Sequence, residues 1–318
     1  MSILYPLRLL PEFHQRVWGS RDLSPIYPDV TAAEPIGEAW LTGDRCRVAN
    51  GPLAGASLEE LCRQYGRDLV GDNISDPSRF PLLLKFLFPQ EKLSVQVHPD
   101  DKGAHALGLP CGKTECWYVL DASTDAEVAL GLKPGTTVAA LETAIRETRA
   151  EELLNWMPVS RGDMIYVDAG TVHAIGPGSI LLETQQNSDT TFRLYDYGRP
   201  RELHIEQGIK AVRERTSAGK VKPHTGINGS GDVLLESPCF HIQMQRHAFS
   251  SQLRDRRKVH CLVALSGAAV VECPGAEAVT FAQGEVAVIP AGVPSFSVSP
   301  EPRMEVLWAQ VPEKLAAS

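Results

Sequence analysis

Short apolar runs, separated by glycine and proline, recur along most of the chain. Many of them alternate with polar residues or are rich in β-branched residues, among them KLSVQVH, ECWYVL, DMIYVDAG, VHCLVAL and EVAVIP. Strands of this length, with turn residues at close spacing, are typical of sandwiches and barrels. The pattern therefore predicts a mainly β protein.

Three stretches have a helical pattern instead. SLEELCRQYGRDLVG begins at Ser57, and Glu60 follows at the spacing of a capping box. TTVAALETAIRETRAEELLNWM runs from Thr136 with apolar residues at helical spacing, and HIEQGIKAVRERT begins at His204. We expect His204 to be an ordinary surface or packing residue. The segment SAGKVKPHTGINGSGD, 217–232, has the composition of a linker.

One spacing occurs on both sides of this linker. RGDMIYVDAGTVHAIG leads from Gly162 to His173, and QGEVAVIPAGVPSFSV leads from Gly284 to Ser295 over the same interval. Glycines at the ends of a buried strand permit the turns that aim the last side chain into a barrel. The spacing resembles a motif of the cupin superfamily, the double-stranded β-helix, in which the histidine is a metal ligand.

The resemblance implies two cupin-type double-stranded β-helix barrels with a few short helices between strands. We predict a catalytic domain with helical insertions at 1–216, a linker at 217–232 and a second cupin-like domain at 233–318. Because the second copy has Ser295 where the first has His173, we expect no metal site in the second domain.

The stretch EKLSVQVHPDD has an unusual polar face. Alternation along a strand places Ser94, Gln96 and His98 on one face and apolar residues on the other. Such a strand could lie at a sheet edge with its polar face in water. Alternatively, these side chains could serve a site inside the first barrel.

A carboxylate and a second histidine favour a site. In GKTECWYVL, Glu115 shares a face with Lys113 and Trp117, and a carboxylate in so apolar a strand is costly to bury unless it is paired or bound to a cation. With His98, His173 and an amide oxygen, it makes a plausible shell for a divalent transition metal such as zinc. Such a set leaves room for water or substrate.

Four separated motifs resemble those of the type I mannose-6-phosphate isomerases, in their short bacterial form. They are VQVHPDD, GKTECWYVL, DAGTVHAIG and ETQQNSDTTFRLYDYGR, and the VWG at 17–19 fits as well. The large inserted helical domain of the long members is missing. The resemblance implies one Zn²⁺ per chain, bound by Gln96, His98, Glu115 and His173.

The family's reaction would interconvert mannose 6-phosphate and fructose 6-phosphate by proton transfer between C2 and C1 through an enediol(ate). Arg193 is the candidate for stabilising the negative charge of that intermediate, because a fixed guanidinium suits charge that develops in the transition state. The alternative for Arg193 is a surface salt bridge to Asp189 or Asp196.

The other roles remain open between several side chains. The candidates for binding the phosphate are Ser94, Lys113 and Arg199. Glu183, at the end of an apolar run, is a candidate base, but it could instead be a hydrated residue at a strand end or a partner of Arg193. Lys113 or a metal-bound water could equally serve as the base.

Composition limits the other functions. The chain has 318 residues, a net charge of −8 and no basic run, so we expect no nucleic-acid partner. No apolar stretch approaches the ~20 residues that span a bilayer. Its seven scattered cysteines include no CxxC pair, which is typical of a reduced cytoplasmic protein. We expect a monomer or homodimer acting on a sugar phosphate; the alternatives are a non-catalytic sugar-phosphate-binding cupin and an iron-dependent cupin oxygenase.

Overall fold

The computed structural model of the protein describes residues 4–226, 231–252, 257–301 and 304–312. Most regular elements in these ranges are strands. In chain order the first twelve are β1 (Leu7–Leu9), β2 (Glu12–Ser20), β3 (Ile36–Trp40), β4 (Leu82–Leu87), β5 (Val95–Val97), β6 (Glu115–Ala122), β7 (Glu127–Leu132), β8 (Leu154–Pro158), β9 (Met164–Val167), β10 (His173–Ile175), β11 (Ser179–Gln186) and β12 (Phe192–Tyr195).

The remaining strands follow the third predicted helix. They are β13 (Gly219–Val221), β14 (His224–Thr225), β15 (Asp232–Glu236), β16 (His241–Gln245), β17 (Phe249–Gln252), β18 (His260–Ser266), β19 (Ala268–Glu272), β20 (Val279–Ala282), β21 (Val286–Ile289), β22 (Ser295–Pro300) and β23 (Glu305–Gln310). The helices are α1 (Leu58–Tyr65), α2 (Arg67–Val70), α3 (Asp101–Ala106), α4 (Val138–Arg146) and α5 (Ile205–Ala211).

The strands form two barrels, each built from two sheets. In the first barrel a seven-stranded sheet, β13-β9-β6-β11-β4-β3-β2, packs on a five-stranded sheet, β12-β5-β10-β7-β8. In the second, β1-β21-β18-β23-β16-β15-β14 packs on β17-β22-β19-β20. The prediction of two cupin-type barrels is confirmed.

Alternation along β6 explains how the barrels are joined. Trp117 points into the first barrel, where it packs with Ile165 and Val128. Its neighbour Cys116 points outward, into a larger cluster that also contains Ile242 of the second half. The outer faces of the two seven-stranded sheets therefore share one core, while each barrel keeps its own interior.

The sequence repeat is also a structural repeat. Gly162 and Gly284 have φ angles of 92° and 83°, a left-handed conformation that favours glycine, and each precedes a buried strand, β9 or β21. His173 opens β10 in the first barrel, and Ser295 opens β22 in the second. The two side chains thus stand at equivalent places in the two barrels.

The helical predictions are confirmed for two stretches and half wrong for the third. Ser57 caps α1 in a reciprocal pair with Glu60, and α5 follows His204. The predicted helix from Thr136 stops at Arg146, and its second half forms a 3₁₀ turn and then β8. Thr148 has a φ of 58°, which no α-helix accommodates, and β8 instead pairs with β7.

Several strands lie across the predicted domain boundaries. β1 pairs with β21 of the second barrel, and β13, within the predicted linker, pairs with β9 of the first. β14 of the same segment pairs with β15, whereas 227–230 lie outside the described residues. The division at 216 and 232 stays a prediction.

Two further expectations concern helices and thiols. Among the described residues, no helix is long and apolar enough to cross a bilayer. All seven cysteines lie in the described part of the chain, and each is a free thiol.

The capping box of α1 gives a test of the local fold. Replacing Ser57 by alanine leaves the backbone N–H of Glu60 without the acceptor that the hydroxyl now supplies. We expect the free energy of unfolding in urea to fall by about 1 kcal/mol, the usual cost of losing such a cap. Ser57→Asp, which keeps an acceptor, should retain most of the stability. Equal stability of Ser57→Ala and the wild type would show that the cap contributes nothing.

Candidate metal centre and active site

The strand β5 lies in the middle of its sheet, so a wet edge strand is the wrong interpretation of EKLSVQVH. It is bonded to β12 on one side and β10 on the other. Gln96 stands opposite Arg193 on β12 and opposite His173 on β10. Directly opposed residues in an antiparallel pair share a face, so the three side chains form one row across the sheet.

The imidazole rings of His98 and His173 are each fixed by a hydrogen bond to a backbone carbonyl oxygen. Nδ1 of His98 lies 2.9 Å from the carbonyl oxygen of Thr190, and Nδ1 of His173 lies 2.9 Å from that of Thr171. Because a carbonyl oxygen only accepts, each Nδ1 must donate, which leaves the lone pair on Nε2. Both rings are buried, with 1% of each residue exposed.

Glu115 lies between the two lone pairs. Its Oε1 is 3.3 Å from Nε2 of His173, and its Oε2 is 3.4 Å from Nε2 of His98. Both oxygens are buried, and neither receives a hydrogen bond of good geometry from the described residues. The nearest cation is Lys113, whose Nζ lies 3.0 Å from Oε2 and 2.9 Å from Nε2 of His98.

The donor set fits a divalent metal ion. Burial, with the nearby Lys113 ammonium, holds the pKa of His98 well below its ordinary value, and burial lowers the pKa of His173 to about 4. Both rings are therefore neutral at neutral pH, the form that binds metals. The three ligand atoms lie within 4.8 Å of one another, and apart from the ion pair of Oε2 with Lys113 neither carboxylate oxygen has a hydrogen-bond donor among the described residues. Nitrogen and carboxylate ligands of this kind suit zinc and its neighbours.

Gln96 extends the set by an amide. Its Nε2 lies 3.1 Å from Nε2 of His173, and its Oε1 accepts a hydrogen bond of 3.3 Å from Oγ of Ser94. Rotating the amide by a half turn would exchange its oxygen and nitrogen and present an oxygen to the His173 lone pair. Gln96 could thus supply a fourth ligand to the metal, and the Ser94 hydroxyl holds its amide from the other side.

Ser94, Gln96, Lys113 and Glu115 line a cavity of 590 Å³ in the first barrel, whereas His98 and His173 lie behind its lining. Its lining is unusually rich in charge for the interior of a barrel. The charged and polar residues that line it are Arg16, Glu38, Lys85, Ser94, Gln96, Lys113, Glu115, Glu183, Asp189, Thr190, Thr191, Arg193, Arg201 and His204.

Glu183 points into this cavity from the seven-stranded sheet. Only 3% of the residue is exposed, and its Oε2 lies 3.0 Å from Nζ of Lys85, directly opposite on β4. Trp117 Nε1 lies 3.4 Å from its other oxygen. Neither water nor Arg193 is its main partner, because the buried Lys85 supplies the opposite charge.

A second carboxylate continues this row. Glu38 accepts hydrogen bonds from both Nε and Nη2 of Arg16, at 3.2 and 2.9 Å, and one of 2.7 Å from the indole of Trp40. Although burial opposes its ionisation, Lys85 and Arg16 lower the pKa of Glu38 to about 2. Arg16, Glu38, Lys85 and Glu183 therefore form an array in which two cations and two carboxylates alternate, and only Arg16 is partly exposed.

Sequence reasoning did not find this array. A signal was present, since Lys85 is the single charge in the run LLLKFLF, and a lone lysine in so apolar a strand requires an explanation. Glu38 is likewise the single charge of β3, IGEAW, whereas Arg16 carries no such signal because β2, EFHQRVWGS, contains several polar residues. Only the sheet register places the three side chains together.

Arg193 reaches the cavity without a carboxylate partner among the described residues. Its Nη1 donates to the carbonyl oxygen of Glu202 at 2.7 Å, and its Nε is buried without an acceptor. The predicted alternative, a salt bridge to Asp189 or Asp196, is not formed. In the sheet, Arg193 stands opposite Gln96, which in turn stands opposite His173.

Of the three predicted phosphate ligands, two lie at the cavity and one does not. Ser94 and Lys113 line the cavity. Arg199 is not among the lining residues; its Nη2 donates to Asp196 and to the carbonyl oxygen of Lys92, at 2.8 and 2.7 Å. His204, expected to be an ordinary surface or packing residue, does line the cavity.

The sequence is similar to a family model and to several known proteins. Residues 7–142 match the family model of the phosphomannose isomerase type I catalytic domain. The mannose-6-phosphate isomerase of Streptococcus mutans serotype c is 34% identical over 302 residues, which are 92% of this chain and 94% of that protein. The mannose-6-phosphate isomerase ManA of Bacillus subtilis is 43% identical over 219 residues, or 65% of this chain and 68% of ManA.

Solved structures share the fold. The crystal structure of the mannose 6-phosphate isomerase from Bacillus subtilis superposes with a TM-score of 0.83 at 29% identity, over 96% of this chain and 99% of that one. A variant of phosphomannose isomerase from Salmonella typhimurium gives a TM-score of 0.75 at 17% identity, which is a likeness of fold alone. From the likeness to the Streptococcus mutans protein over nearly the whole of both sequences, the chain belongs to the family of type I phosphomannose isomerases.

Proposed function

We propose that the protein interconverts mannose 6-phosphate and fructose 6-phosphate, by proton transfer between C2 and C1 through an enediol(ate). The observation that carries the proposal is the His98–Glu115–His173 cluster, which reaches a charged cavity through Glu115, in a chain that belongs to this family. The cavity of 590 Å³ lies in the range of small-molecule sites, so a hexose phosphate fits by volume.

Zn²⁺ is the proposed metal, with one ion per chain. His98, Glu115 and His173 would hold it, with Gln96 as the fourth ligand. When bound, zinc supplies a Lewis acid that polarises a sugar oxygen. The Nδ1 hydrogen bonds to Thr190 and Thr171 prepare the site, because they fix both rings before any ion arrives.

Arg193 would stabilise the negative charge of the enediolate. Its Nε is buried without an acceptor, so an oxygen anion in the cavity would satisfy a donor that is now unpaired. Because no carboxylate neutralises the guanidinium, its charge is available to the intermediate. A positive group held in place before the reaction needs no reorganisation when the charge develops.

Two side chains could accept the proton from C2, Glu183 and Lys113. Burial and the neighbouring Glu115 raise the pKa of Glu183 to about 7, although Lys85 opposes the shift. A carboxylate with such a pKa is well matched to a base working near neutral pH. Lys113 lies against Glu115 and His98, at the metal side of the cavity. We propose Glu183 as the base and keep Lys113 as the alternative.

The monomeric or homodimeric state and the cytoplasmic location stay predictions from the sequence. The free thiols of all seven cysteines are in keeping with a reducing compartment.

Removing the metal should abolish isomerisation of mannose 6-phosphate, and adding Zn²⁺ should restore it. The two barrels offer a matched pair of variants, because His173 and Ser295 open equivalent strands. We expect His173→Ala to lose zinc, measured by elemental analysis, whereas Ser295→Ala should keep both its zinc and its activity. Full turnover in a preparation free of metal would refute the metal assignment, and iron in place of zinc would refute the ion.

Replacing Arg193 by alanine should lower kcat by about 10²- to 10³-fold, the usual loss when a donor to a developing oxyanion is removed. KM should change much less, because the interaction forms mainly in the transition state. Steady-state kinetics in both directions measure the two constants. Arg146→Gln, on the exposed face of α4, is the control for loss of an arginine. An unchanged kcat would remove Arg193 from the mechanism.

Replacing Glu183 by glutamine should lower kcat by about 10²-fold or more, since it removes the proposed base with little change in shape. The exchange of the C2 proton with deuterated water should slow equally. Glu38→Gln is the comparison, because Glu38 is also a buried carboxylate near Lys85. If Glu183→Gln retains proton exchange and Lys113→Met does not, the base is Lys113.

A further inference from the structure

One wall of the cavity carries more positive charge than its carboxylates balance. This wall is formed by β12 and the segment that leads into α5, and it contributes Arg193, Arg201 and His204 to the lining. Two of the three are joined directly, since the N–H of Arg193 lies 3.4 Å from Nδ1 of His204 and the N–H of His204 donates to the carbonyl oxygen of Arg193 at 2.7 Å. We call Arg193, Arg201 and His204 the basic wall.

Asp196 is the buried carboxylate of this region, with 2% of the residue exposed. It accepts two hydrogen bonds of 2.6 Å from Nε and Nη2 of Arg201, and one of 2.8 Å from Arg199. The guanidinium groups of Arg199 and Arg201 therefore share one buried carboxylate, and Arg193 has no carboxylate partner of its own among the described residues. The other acids near this wall, Asp189, Glu91 and Glu202, are exposed to solvent, so they neutralise it weakly.

The other cations of the cavity are balanced. Arg16 and Lys85 alternate with Glu38 and Glu183, and Lys113 lies 3.0 Å from Glu115. Since each of these cations has a buried carboxylate of its own, adding a dianion beside them would set two negative groups together. The basic wall is the place in the cavity where an additional anion improves the charge balance.

Arg201 and His204 also have donors to offer. Asp196 occupies Nε and Nη2 of Arg201, and Nη1 has no acceptor among the described residues. In His204 the Nδ1 faces the N–H of Arg193, so the proton of a neutral ring lies on Nε2. The nearest carboxylate to that nitrogen is Glu202, at 3.9 Å and 84% exposed.

We propose that Arg201 and His204 bind the 6-phosphate of the substrate, and that Asp196 positions Arg201 for this contact. Arg193, which precedes them along the wall and lies in the row of Gln96, remains available to the reacting carbons. Arg199 is a structural residue in this arrangement, because Asp196 and the Lys92 carbonyl hold its guanidinium outside the cavity lining. The inference rests on the proposed function, since it assigns one end of that substrate.

Binding of mannitol 6-phosphate tests the assignment without turnover, because this ligand has no carbonyl group to isomerise. Calorimetry on the full-length, zinc-loaded protein would compare it with mannitol, which lacks the phosphate. We expect Arg201→Gln to weaken mannitol 6-phosphate at least tenfold and His204→Asn several-fold, with Arg201→Lys in between. Weak binding of mannitol should not change. Arg146→Gln, on the surface of α4, should bind both ligands as the wild type does.

Steady-state kinetics provide a second test of the phosphate site. For mannose 6-phosphate, Arg201→Gln should raise KM at least tenfold and keep kcat within about threefold, the signature of lost uniform binding. The proposal is overturned if Arg201→Gln is folded and binds mannitol 6-phosphate normally, or if Arg199→Gln weakens it more than Arg201→Gln does. It is also overturned if the affinity for mannitol falls in parallel, because Arg201 would then act only on the shape of the wall.

The two proposals fail separately. A wild-type protein that binds mannitol 6-phosphate through Arg201 but never isomerises mannose 6-phosphate would refute the reaction and leave the phosphate site standing. A protein that isomerises mannose 6-phosphate with an unchanged KM in Arg201→Gln would refute the phosphate site and leave the reaction standing.

Discussion

A buried carboxylate between two neutral imidazoles dominates the chemistry of this protein. Glu115 has 1% of its surface exposed, and its oxygens face the Nε2 lone pairs of His98 and His173 at 3.4 and 3.3 Å. Lone pairs facing a carboxylate repel it, and the ammonium of Lys113 lies near Oε2 alone, at 3.0 Å, so Oε1 has no cationic partner among the described residues. A cation resolves both problems at once, which is why the mouth of the first barrel is suited to a metal and not merely tolerant of one.

The barrel makes such a centre possible because each sheet gives one inward face. The five-stranded sheet contributes the row Arg193, Gln96 and His173, and the seven-stranded sheet contributes Lys85 and Glu183 as a directly opposed pair. Apolar residues on the same inward faces form the core of the first barrel, so the charged groups border an apolar interior. In such an interior the low dielectric constant strengthens the interaction between charges. Neighbouring charges of opposite sign therefore reduce the free-energy cost of burying each one.

The second barrel has the same strand pattern as the first, but its interior is mainly apolar. Its interior holds Leu262, Phe281 and Ile289, and Ser295 stands where the first barrel has His173. The outer faces of its large sheet pack on those of the first barrel in one shared core. We infer that this half supports the catalytic half by burying the back of the sheet that carries Glu115 and Glu183.

The sequence by itself determined the barrels and the helix starts, because alternation and a capping box are local signals, and its resemblance to a known family indicated Gln96, His98, Glu115 and His173 as candidate metal ligands. The sequence did not predict where α4 ends, because the chain after it pairs as β8 with β7, and this pairing depends on a strand that lies earlier in the chain. Tertiary structure alone decided which charges share the cavity. Lys85, Glu38 and Arg201 line it, and Arg199 does not, because strand register places the first two and a second contact, to the carbonyl oxygen of Lys92, holds Arg199 away.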